Sequence, residues 1–304
     1  MFKIGFIGFG EAAFCIADGL REEGVKGIAA YDALRGHPTM GAQVASRAEK
    51  AGVELLDSAC GVVEQSDLFF AAVPSSYTLD VCTEIASALR PGQIYADVSA
   101  SMPSTKEQIW QRIQSSGVLF VDAAMLGSLP LDRHKVPIVA SGNGAQALID
   151  RMTPLGMRIE KVGENPGEAS AIKLVRSIFM KGTASLMIET MQAAHAYHVT
   201  DQVVSSLSKS MDGIPFASHL NRLITGTAIH AKRRAAEVKG SVQMLQECAL
   251  DHSMSSAAQR KHELLVPYAF NERYAQSKPS GWSEIIRILE EEKLQEEKFQ
   301  EEKE

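Results

Sequence analysis

Short apolar runs alternate with helical patterns along the first 163 residues of the chain. Several of these runs, such as residues 68–73, are apolar throughout, which is typical of strands that helices cover on both faces. Their alternation with helices predicts a doubly wound parallel sheet of the α/β class. The predicted strands are residues 3–7, 27–31, 68–73, 94–98, 119–123, 137–140 and 158–162.

After Gly167 the pattern becomes helical. Apolar residues recur at steps of three or four from Ile172 to Met191, which predicts a helix of about thirty residues. Further helices are predicted at residues 201–211, 216–224, 229–250 and 254–274. The Gly, Asn and Pro residues at 163–167 mark a boundary. We therefore expect an α/β domain over residues 1–164, an all-helical domain over 165–288 and a charged tail over 289–304. The tail's five-residue repeat does not form a coiled-coil stripe, so we expect it to be solvated.

Composition and charge narrow the class of protein. The chain is 45% hydrophobic and 22% charged, as is typical of folded globular proteins. It has no apolar run near the roughly 18 residues that span a bilayer, and it enters its first predicted strand at once, so we expect a cytoplasmic protein. The formal net charge is −6, and residues 290–304, with eight Glu and three Lys, supply −5 of it. Since no basic excess remains, a nucleic-acid partner is disfavoured.

The cysteines and histidines do not predict a metal site. The cysteines are widely separated, contain no CxxC pair and are interpreted as reduced thiols; they are Cys15, Cys60, Cys82 and Cys248. His195 and His198 could be ligands on one helix, but no carboxylate pattern completes a site. We interpret both histidines as ordinary helix residues.

A glycine-rich motif follows the first predicted strand. The segment Gly8-Phe9-Gly10-Glu11-Ala12-Ala13 fits GxGxxA at the start of a predicted helix. The first glycine of this motif permits a tight turn, the second lets a pyrophosphate approach the backbone, and the small last residue packs the helix on the strand. The helix N-terminus supplies N–H groups for the phosphates. The motif predicts a Rossmann domain that binds a dinucleotide, with a glycine-rich turn that binds nothing as the alternative.

Asp32 lies at the end of the second predicted strand, 22 residues after Gly10. We expect its carboxylate to accept hydrogen bonds from the adenosine ribose hydroxyls. A carboxylate there repels a 2′-phosphate and so favours NAD over NADP as the cofactor. Arg35, three residues later, could reverse this preference, so NADP is not excluded.

Two more predicted strands end in loops rich in Pro and Ser. In a doubly wound sheet, ligands bind at the carboxyl ends of the strands, so we expect these loops to contact the cofactor. The expected contacts are Val73, Pro74, Ser75 and Ser99. The alternative for such serines is helix capping, which would apply to Ser75 and Ser104.

Five segments together resemble the β-hydroxyacid dehydrogenase and 6-phosphogluconate dehydrogenase family in order and spacing. They are GFIGFG, DLFFAAVP, DVSASMP, FVDAAMLGS and GEASAIKLVRS, and the resemblance is strongest over the first 180 residues. It implies a Rossmann domain followed by a helical domain. It also implies an oxidoreductase that transfers a hydride between NAD(P) and a small hydroxy acid. Lys173, within a GxAxxxK segment, matches the catalytic lysine of the family.

A lysine suits this chemistry, because oxidation of an alcohol needs a base for the hydroxyl proton. A free lysine has a pKa of about 10.4. To act as a base near neutral pH, Lys173 needs a pKa of about 7, a change that costs on the order of 4 kcal/mol. Burial and the positive nicotinamide ring both lower the pKa of a lysine. The alternative for Lys173 is a solvated lysine on a helix surface.

The chain departs from the family pattern around the expected substrate. Ser177 replaces the usual asparagine, and Leu126 replaces the serine that would hold the substrate's carboxylate. The resemblance implies substrate contacts for Leu126, Gly127, Ser128 and Ser177, with Ser128 as a substitute for the lost serine or a less polar substrate as the alternative. Lys239 matches a lysine that contacts the cofactor. These departures are typical of a variant branch whose C-terminal domain has no assigned function.

Three functions therefore stay open: a hydroxy-acid-type dehydrogenase, an imine reductase with the same two-domain plan, and a non-catalytic dinucleotide-binding protein. Arg222, Arg233 and Arg234 could bind a substrate carboxylate, with solvated helix charges as the alternative. We expect a small-molecule substrate, no nucleic-acid or membrane partner, and a homodimer formed through the helical domain.

Overall fold

The computed structural model describes the backbone of residues 2–301 and the side chains of residues 2–294. Within this range the chain forms one eight-stranded sheet. Its strands are β1 (Ile4–Ile7), β2 (Ala29–Tyr31), β3 (Glu54–Leu55), β4 (Leu68–Ala71), β5 (Ile94–Asp97), β6 (Leu119–Met125), β7 (Pro137–Ser141) and β8 (Arg158–Gly163). The helices between them are α1 (Glu11–Glu22), α2 (Gly41–Ala51), α3 (Ala59–Gln65), α4 (Thr78–Ile85), α5 (Pro103–Ile113), α6 (Leu129–Asp132) and α7 (Ala145–Met152).

The strand order is β3-β2-β1-β4-β5-β6-β7-β8. The first six strands pair in parallel, and the order reverses at β1, as in a doubly wound Rossmann sheet. This confirms the predicted fold class. β7 is antiparallel to β6, and β8 is parallel to β7, a detail that the strand pattern did not reveal. Residues 126–136 connect β6 directly to β7, its neighbour in the sheet. Such a short connection joins antiparallel strands, because parallel strands need a longer crossover.

Both faces of the sheet are buried, as the apolar runs predict. On one face Phe6 stacks on Phe70, with ring centroids 5.2 Å apart. On the other face Phe69 stacks on Tyr95 at 4.7 Å, and Phe120 meets Tyr95 edge to face. These five side chains are fully buried, so two cores, one on each side, hold the carboxyl ends of the central strands in fixed positions.

The remaining helices are α8 (Glu168–Ala196), α9 (Thr200–Met211), α10 (Phe216–Ile229), α11 (Ala231–Glu247), α12 (Ser253–Glu263), α13 (Phe270–Arg273) and α14 (Trp282–Glu301). α8 has 29 residues and confirms the predicted long helix. The predicted continuous helix over residues 254–274 is wrong, because α12 ends at Glu263 and a 3-10 turn, Val266–Tyr268, follows. Pro267 lies in this turn and cannot continue a helix, since it lacks the N–H donor.

The chain divides into two compact units, one up to Ile178 and the other from Phe179. The sequence places the boundary earlier, at residue 164. The residues between the two boundaries include the start of α8, which belongs to the first unit. The second unit has its own small core, formed by Ala228, Phe270, Ile285 and Ile288.

The predicted charged tail begins inside α14. Leu289 packs against the core of the second unit, whereas Leu294 is exposed. Residues 302–304, the end of the predicted tail, lie outside the described residues. In the part of the chain that is described, we find no helix of the length and hydropathy required to cross a membrane.

The four cysteines are free thiols, as predicted. Cys15 and Cys82 are buried, and the other two are half-buried. Burial raises the pKa of the Cys82 thiol to about 11, which keeps it protonated and unreactive at neutral pH.

Candidate functional site

The glycine-rich segment forms a tight turn between β1 and α1. Gly8 has a φ of +83°, a conformation that side chains other than glycine rarely adopt. A β-carbon on Gly8 would also lie 2.6 Å from the carbonyl oxygen of Ala72. The Gly8 N–H donates to the carbonyl of Tyr31 at 2.8 Å, so the turn is fixed to β2. Both the conformation and the space therefore require glycine at this position.

Gly10 is the N-cap residue of α1 and borders open space. A β-carbon there would meet no heavy atom of the chain within 4 Å. Ala13, at the last motif position, is fully buried, so α1 packs closely on the strands. The open side of Gly10 and the free N–H groups of the first turn of α1, which includes Glu11 and Ala12, form a cradle that fits a pyrophosphate.

Asp32 has a structural role that the sequence did not reveal. Its Oδ2 accepts the N–H of Phe9 at 2.7 Å, and its Oδ1 accepts the N–H of Leu34 at 2.8 Å. The side chain is only 9% exposed. Because a carboxylate has about four acceptor positions, both oxygens can still accept a ribose hydroxyl. Asp32 therefore fixes the glycine turn, and its contact with a ribose stays a prediction.

Arg35 has its charge paired within the chain. Its Nη1 lies 2.6 Å from Asp57 Oδ1 and donates to the carbonyl of Leu56, also at 2.6 Å. The ion pair is exposed, so it is weak, but it directs the guanidinium toward the residues after β3.

The loops after β4 and β5 lie next to the glycine turn, because β4 pairs with both β1 and β5. Val73 is half-buried, and Pro74 and Ser75 are exposed. Ser99 is buried, and its N–H donates to Asp97 Oδ1 at 2.9 Å. The structure thus brings these four predicted cofactor contacts to the edge that also carries the glycine turn.

The helix-capping alternative for the serines is wrong. Ser75 is the first residue of a 3-10 turn whose N-cap is Pro74, and Ser104 lies inside α5, whose N-cap is Met102. Neither N-cap position has a side-chain capping bond.

A row of buried polar side chains crosses the sheet beside this edge. Asp97 on β5 lies opposite Asp122 on β6, which lies opposite Ser141 on β7, and all three are fully buried. Lys106 of α5 is fully buried as well, with Nζ 3.0 Å from Asp97 Oδ1 and 3.6 Å from Asp122 Oδ1. Its ammonium also donates to the carbonyls of Asp97 and Ser99. Since like charges on facing strand positions repel each other, the ammonium allows both carboxylates to stay in the sheet.

The N-terminus of α8 binds to this row. Asp122 Oδ2 accepts the N–H groups of Gly167 and Ser170 at 3.1 and 2.8 Å, and Oδ1 accepts the Ser170 hydroxyl at 2.7 Å. Ser141 Oγ accepts the N–H of Ala169 at 3.1 Å. A carboxylate at this end satisfies the unpaired N–H groups and interacts favourably with the helix dipole. The first turn of α8 is therefore fixed to the sheet.

The sequence contained a signal for this row. Asp97 and Asp122 each stand next to or within an apolar run, in IYADV and FVDAAM. A buried acid needs a partner, so such positions point to a buried cation or to helix N–H groups. Nothing in the sequence around Lys106 distinguishes it from a surface lysine.

Lys173 lies one turn beyond this anchor and is half-buried. Arg176 and Ser177 follow at spacings of three and four residues, so the three side chains share one side of α8. Arg176 Nη1 donates to the carbonyl of Leu126 at 3.2 Å. This side of α8 therefore lies against the loop that follows β6.

The loop after β6 contains the predicted substrate contacts. The Leu126 N–H donates to the carbonyl of Pro137 at 2.8 Å, and its side chain packs near Ala124, Val139 and Ala169. Gly127 and Ser128 are exposed. Leu126 thus contributes apolar packing where the family has a polar serine. The Ser128 hydroxyl makes no capping bond to α6.

Other predicted residues lie in the second unit. Lys239 is exposed on α11, and its contact with the cofactor stays a prediction. The three arginines considered as carboxylate binders have partners within this unit: Arg222 is near His219, Arg233 pairs with Glu237, and Arg234 donates to Thr227. His195 and His198 are exposed, and no cluster of three or more potential metal ligands occurs in the described part of the chain.

Two separate ranges of the chain match known families. Residues 3–101 match the family described as NADP oxidoreductase, coenzyme F420-dependent. Residues 194–265 match a domain of unknown function, DUF1932. The first match lies over the glycine turn, Asp32 and the loops after β4 and β5.

Relatives and solved structures extend the comparison to most of the chain. A conserved protein of unknown function, whose structure was described as similar to 3-hydroxyacid dehydrogenases, is 31% identical, with 87% of this chain and 96% of that chain covered and a TM-score of 0.59. The 2-(hydroxymethyl)glutarate dehydrogenase of Eubacterium barkeri is 25% identical over 186 residues, which are 59% of this chain and 58% of that protein. An imine reductase from Pseudomonas sp. is 18% identical, with 89% and 95% of the two chains covered and a TM-score of 0.71, and it shares the fold.

The five sequence segments resemble the hydroxyacid dehydrogenase family. The Rossmann sheet, the DUF1932 match and the 31% identity along most of the chain agree with that resemblance. The chain carries an NAD(P)-binding oxidoreductase fold. It belongs to the β-hydroxyacid dehydrogenase and 6-phosphogluconate dehydrogenase-like family, in the branch whose C-terminal domain is DUF1932.

Proposed function

We propose that this protein is an NAD(P)-dependent dehydrogenase that acts on a small hydroxy acid, or reduces the matching carbonyl compound, with Lys173 as its proton-transfer residue. One observation carries the proposal: Asp122 fixes the first turn of α8, the helix of Lys173, to the sheet that carries the glycine turn, where the dinucleotide would bind. The similarity to a dehydrogenase of a hydroxymethyl acid supports the same reaction class.

The residues around Lys173 fit this chemistry. The bound nicotinamide would accept or supply the hydride. Lys173 would take the hydroxyl proton during oxidation and return it during reduction. Ser177, one turn along α8, offers a hydroxyl that can donate to or accept from the substrate oxygen. The exposed Gly127 and Ser128 would contact the substrate from the loop after β6.

We infer that NAD is the preferred cofactor. The carboxylate of Asp32 lies next to the glycine turn and would repel a 2′-phosphate. Arg35, which could neutralise that phosphate, is paired with Asp57, so a second carboxylate lies nearby. Both features lower the expected affinity for NADP relative to NAD.

An imine reductase is the second candidate. Its supporting observation is the apolar packing of Leu126, which makes the loop after β6 less polar than a loop that binds a carboxylate. In that case Lys173 would donate a proton to the imine nitrogen instead of an alkoxide.

A substrate panel tests the proposal. Purified protein is assayed with NADH and NADPH against keto acids and cyclic imines, and with NAD against hydroxy acids. We expect turnover of at least one keto acid or hydroxy acid. NADH should reach half-saturation at a concentration at least about tenfold below that of NADPH, a difference of about 1.4 kcal/mol. Turnover of imines alone would support the second candidate. NADH binding without any turnover would contradict both and support a non-catalytic dinucleotide-binding protein.

We also infer that the second unit forms a homodimer. On α8, Phe179, Met187 and Ile188 are 50%, 61% and 62% exposed. α9 buries none of its residues, and its apolar residues Val204, Leu207 and Met211 are exposed. Helices gain most of their stability from a buried apolar face, so the exposed apolar residues of α8 and α9 require a cover. A second copy of the chain is the commonest cover among soluble proteins.

The dimer is tested by sedimentation at micromolar concentration. We expect the wild type to sediment as a dimer and Met187→Glu to shift it toward monomer, because the new charge would be desolvated in the interface. Gln192→Glu, which adds the same charge at an exposed polar position of α8, should leave the dimer intact. A monomeric wild type would refute the inference.

A further inference from the structure

Arg176 is an exposed arginine beside the proposed proton-transfer residue. Among the side chains of residues 2–294, none supplies it with an ion pair. Its described polar contact is the hydrogen bond from Nη1 to the carbonyl of Leu126 at 3.2 Å. The guanidinium therefore lies at the loop after β6, and no carboxylate of residues 2–294 is within ion-pair distance of it.

The contact with Leu126 orients the guanidinium. A guanidinium has five N–H donors in a planar fork, and the Leu126 carbonyl uses one of them. The remaining donors can bind a carboxylate in the bidentate way that arginine favours. Lys173 and Arg176 lie three residues apart on one side of α8, so a bound carboxylate would lie near the proton-transfer residue.

The charges around the loop favour one negative charge over two. A β-carbon on Gly127 would lie 2.9 Å from Asp132 Oδ2, so a carboxylate already borders the loop. This carboxylate would repel a doubly charged phosphate ester more strongly than a singly charged carboxylate. The surroundings therefore fit a monoanion.

We propose that Arg176 binds the carboxylate of the substrate and selects monoanionic acids over neutral carbonyl compounds, imines and phosphate esters. This role rests on the proposed function, which places the reacting carbon of the substrate near Lys173. Arg176 compensates for the apolar Leu126, because it places a charged donor at the carbonyl of that same residue.

The test is equilibrium binding, which needs no turnover. NADH-saturated protein is titrated by calorimetry with glycolate, 3-hydroxypropionate and 4-hydroxybutyrate, with the matching amide of each acid, and with inorganic phosphate. At least one acid should bind more tightly than its amide by about tenfold or more, as expected for a charge-assisted bidentate contact. Arg176→Gln, which keeps a donor for the Leu126 carbonyl, should remove that preference, and Arg176→Lys should keep part of it.

Control variants separate this proposal from the proposed function. Arg158→Gln, at an exposed arginine of the same unit, should keep the preference for acids, and all variants should bind NADH like the wild type. Lys173→Ala should also keep the preference, because the carboxylate contact does not need proton transfer. An equal preference for acids in the wild type and in Arg176→Gln, tighter binding of phosphate than of every acid, or no binding of any acid would each overturn the role of Arg176. Absence of turnover in the wild type, with the preference for acids intact, would count only against the proposed function.

Discussion

Replacing Lys106 with methionine should lower the free energy of unfolding by about 3–5 kcal/mol, the usual cost of removing one partner from a buried ion pair. Lys106 is fully buried between Asp97 and Asp122, which face each other across β5 and β6. Without the ammonium, two carboxylates remain buried and repel each other. Methionine fills a similar volume, so the loss would come from charge and hydrogen bonding more than from a cavity.

The effect of Lys106→Met should reach α8. Asp122 accepts two N–H groups and a hydroxyl from the first turn of that helix, and movement of its carboxylate would weaken all three hydrogen bonds. The expected result is a lower urea midpoint together with faster amide hydrogen exchange at residues 167–170. Lys26→Met, which removes an exposed lysine from the same unit, is the control and should change stability by less than about 0.5 kcal/mol. Equal stability of the two variants would contradict the role given to Lys106.

Local patterns were sufficient to predict the fold class. Strand β4 is a short apolar run, which is typical of a strand that helices cover on both faces. The turn at Gly8 and the start of α1 follow from GxGxxA, because the glycine conformation and the small Ala13 are local requirements. α8 could be predicted because its apolar residues keep a helical period along 29 residues.

Features that depend on strand order could not be predicted in this way. Asp97 and Asp122 are 25 positions apart in the sequence and become neighbours only because β5 pairs with β6. Lys106 is buried because α5 packs over these strands, and its own neighbours in the sequence are polar. The direction of β7 depends on a return connection instead of a strand pattern.

The same limit applies to the candidate site. The sequence predicts Asp32 as a ribose ligand, but its hydrogen bond to the Phe9 N–H requires β2 to lie beside β1. Arg35 finds Asp57 on another segment, and Arg176 finds the carbonyl of Leu126 fifty residues earlier. Side chains that act through such contacts become visible as functional candidates only after the chain is folded.

Replacing Lys173 with alanine should reduce kcat by about 10²- to 10⁴-fold, the usual contribution of a positioned general acid or base. The affinity for NADH should stay within about twofold of the wild type, because a proton-transfer residue stabilises the transition state more than the bound cofactor. The helix should stay in place, since its anchor is made by Gly167, Ala169 and Ser170. Lys181→Ala, at an exposed lysine farther along α8, is the matched control and should keep full activity.

The most direct measurement is single-turnover hydride transfer from NADH to the best substrate of the panel, compared in the wild type, Lys173→Ala and Lys181→Ala with NADH affinity measured in parallel. The account predicts rapid transfer in the wild type and in Lys181→Ala, and a loss of at least about 10²-fold in Lys173→Ala at unchanged NADH affinity. Full transfer by Lys173→Ala would contradict the central claim that this lysine moves the proton in the reaction.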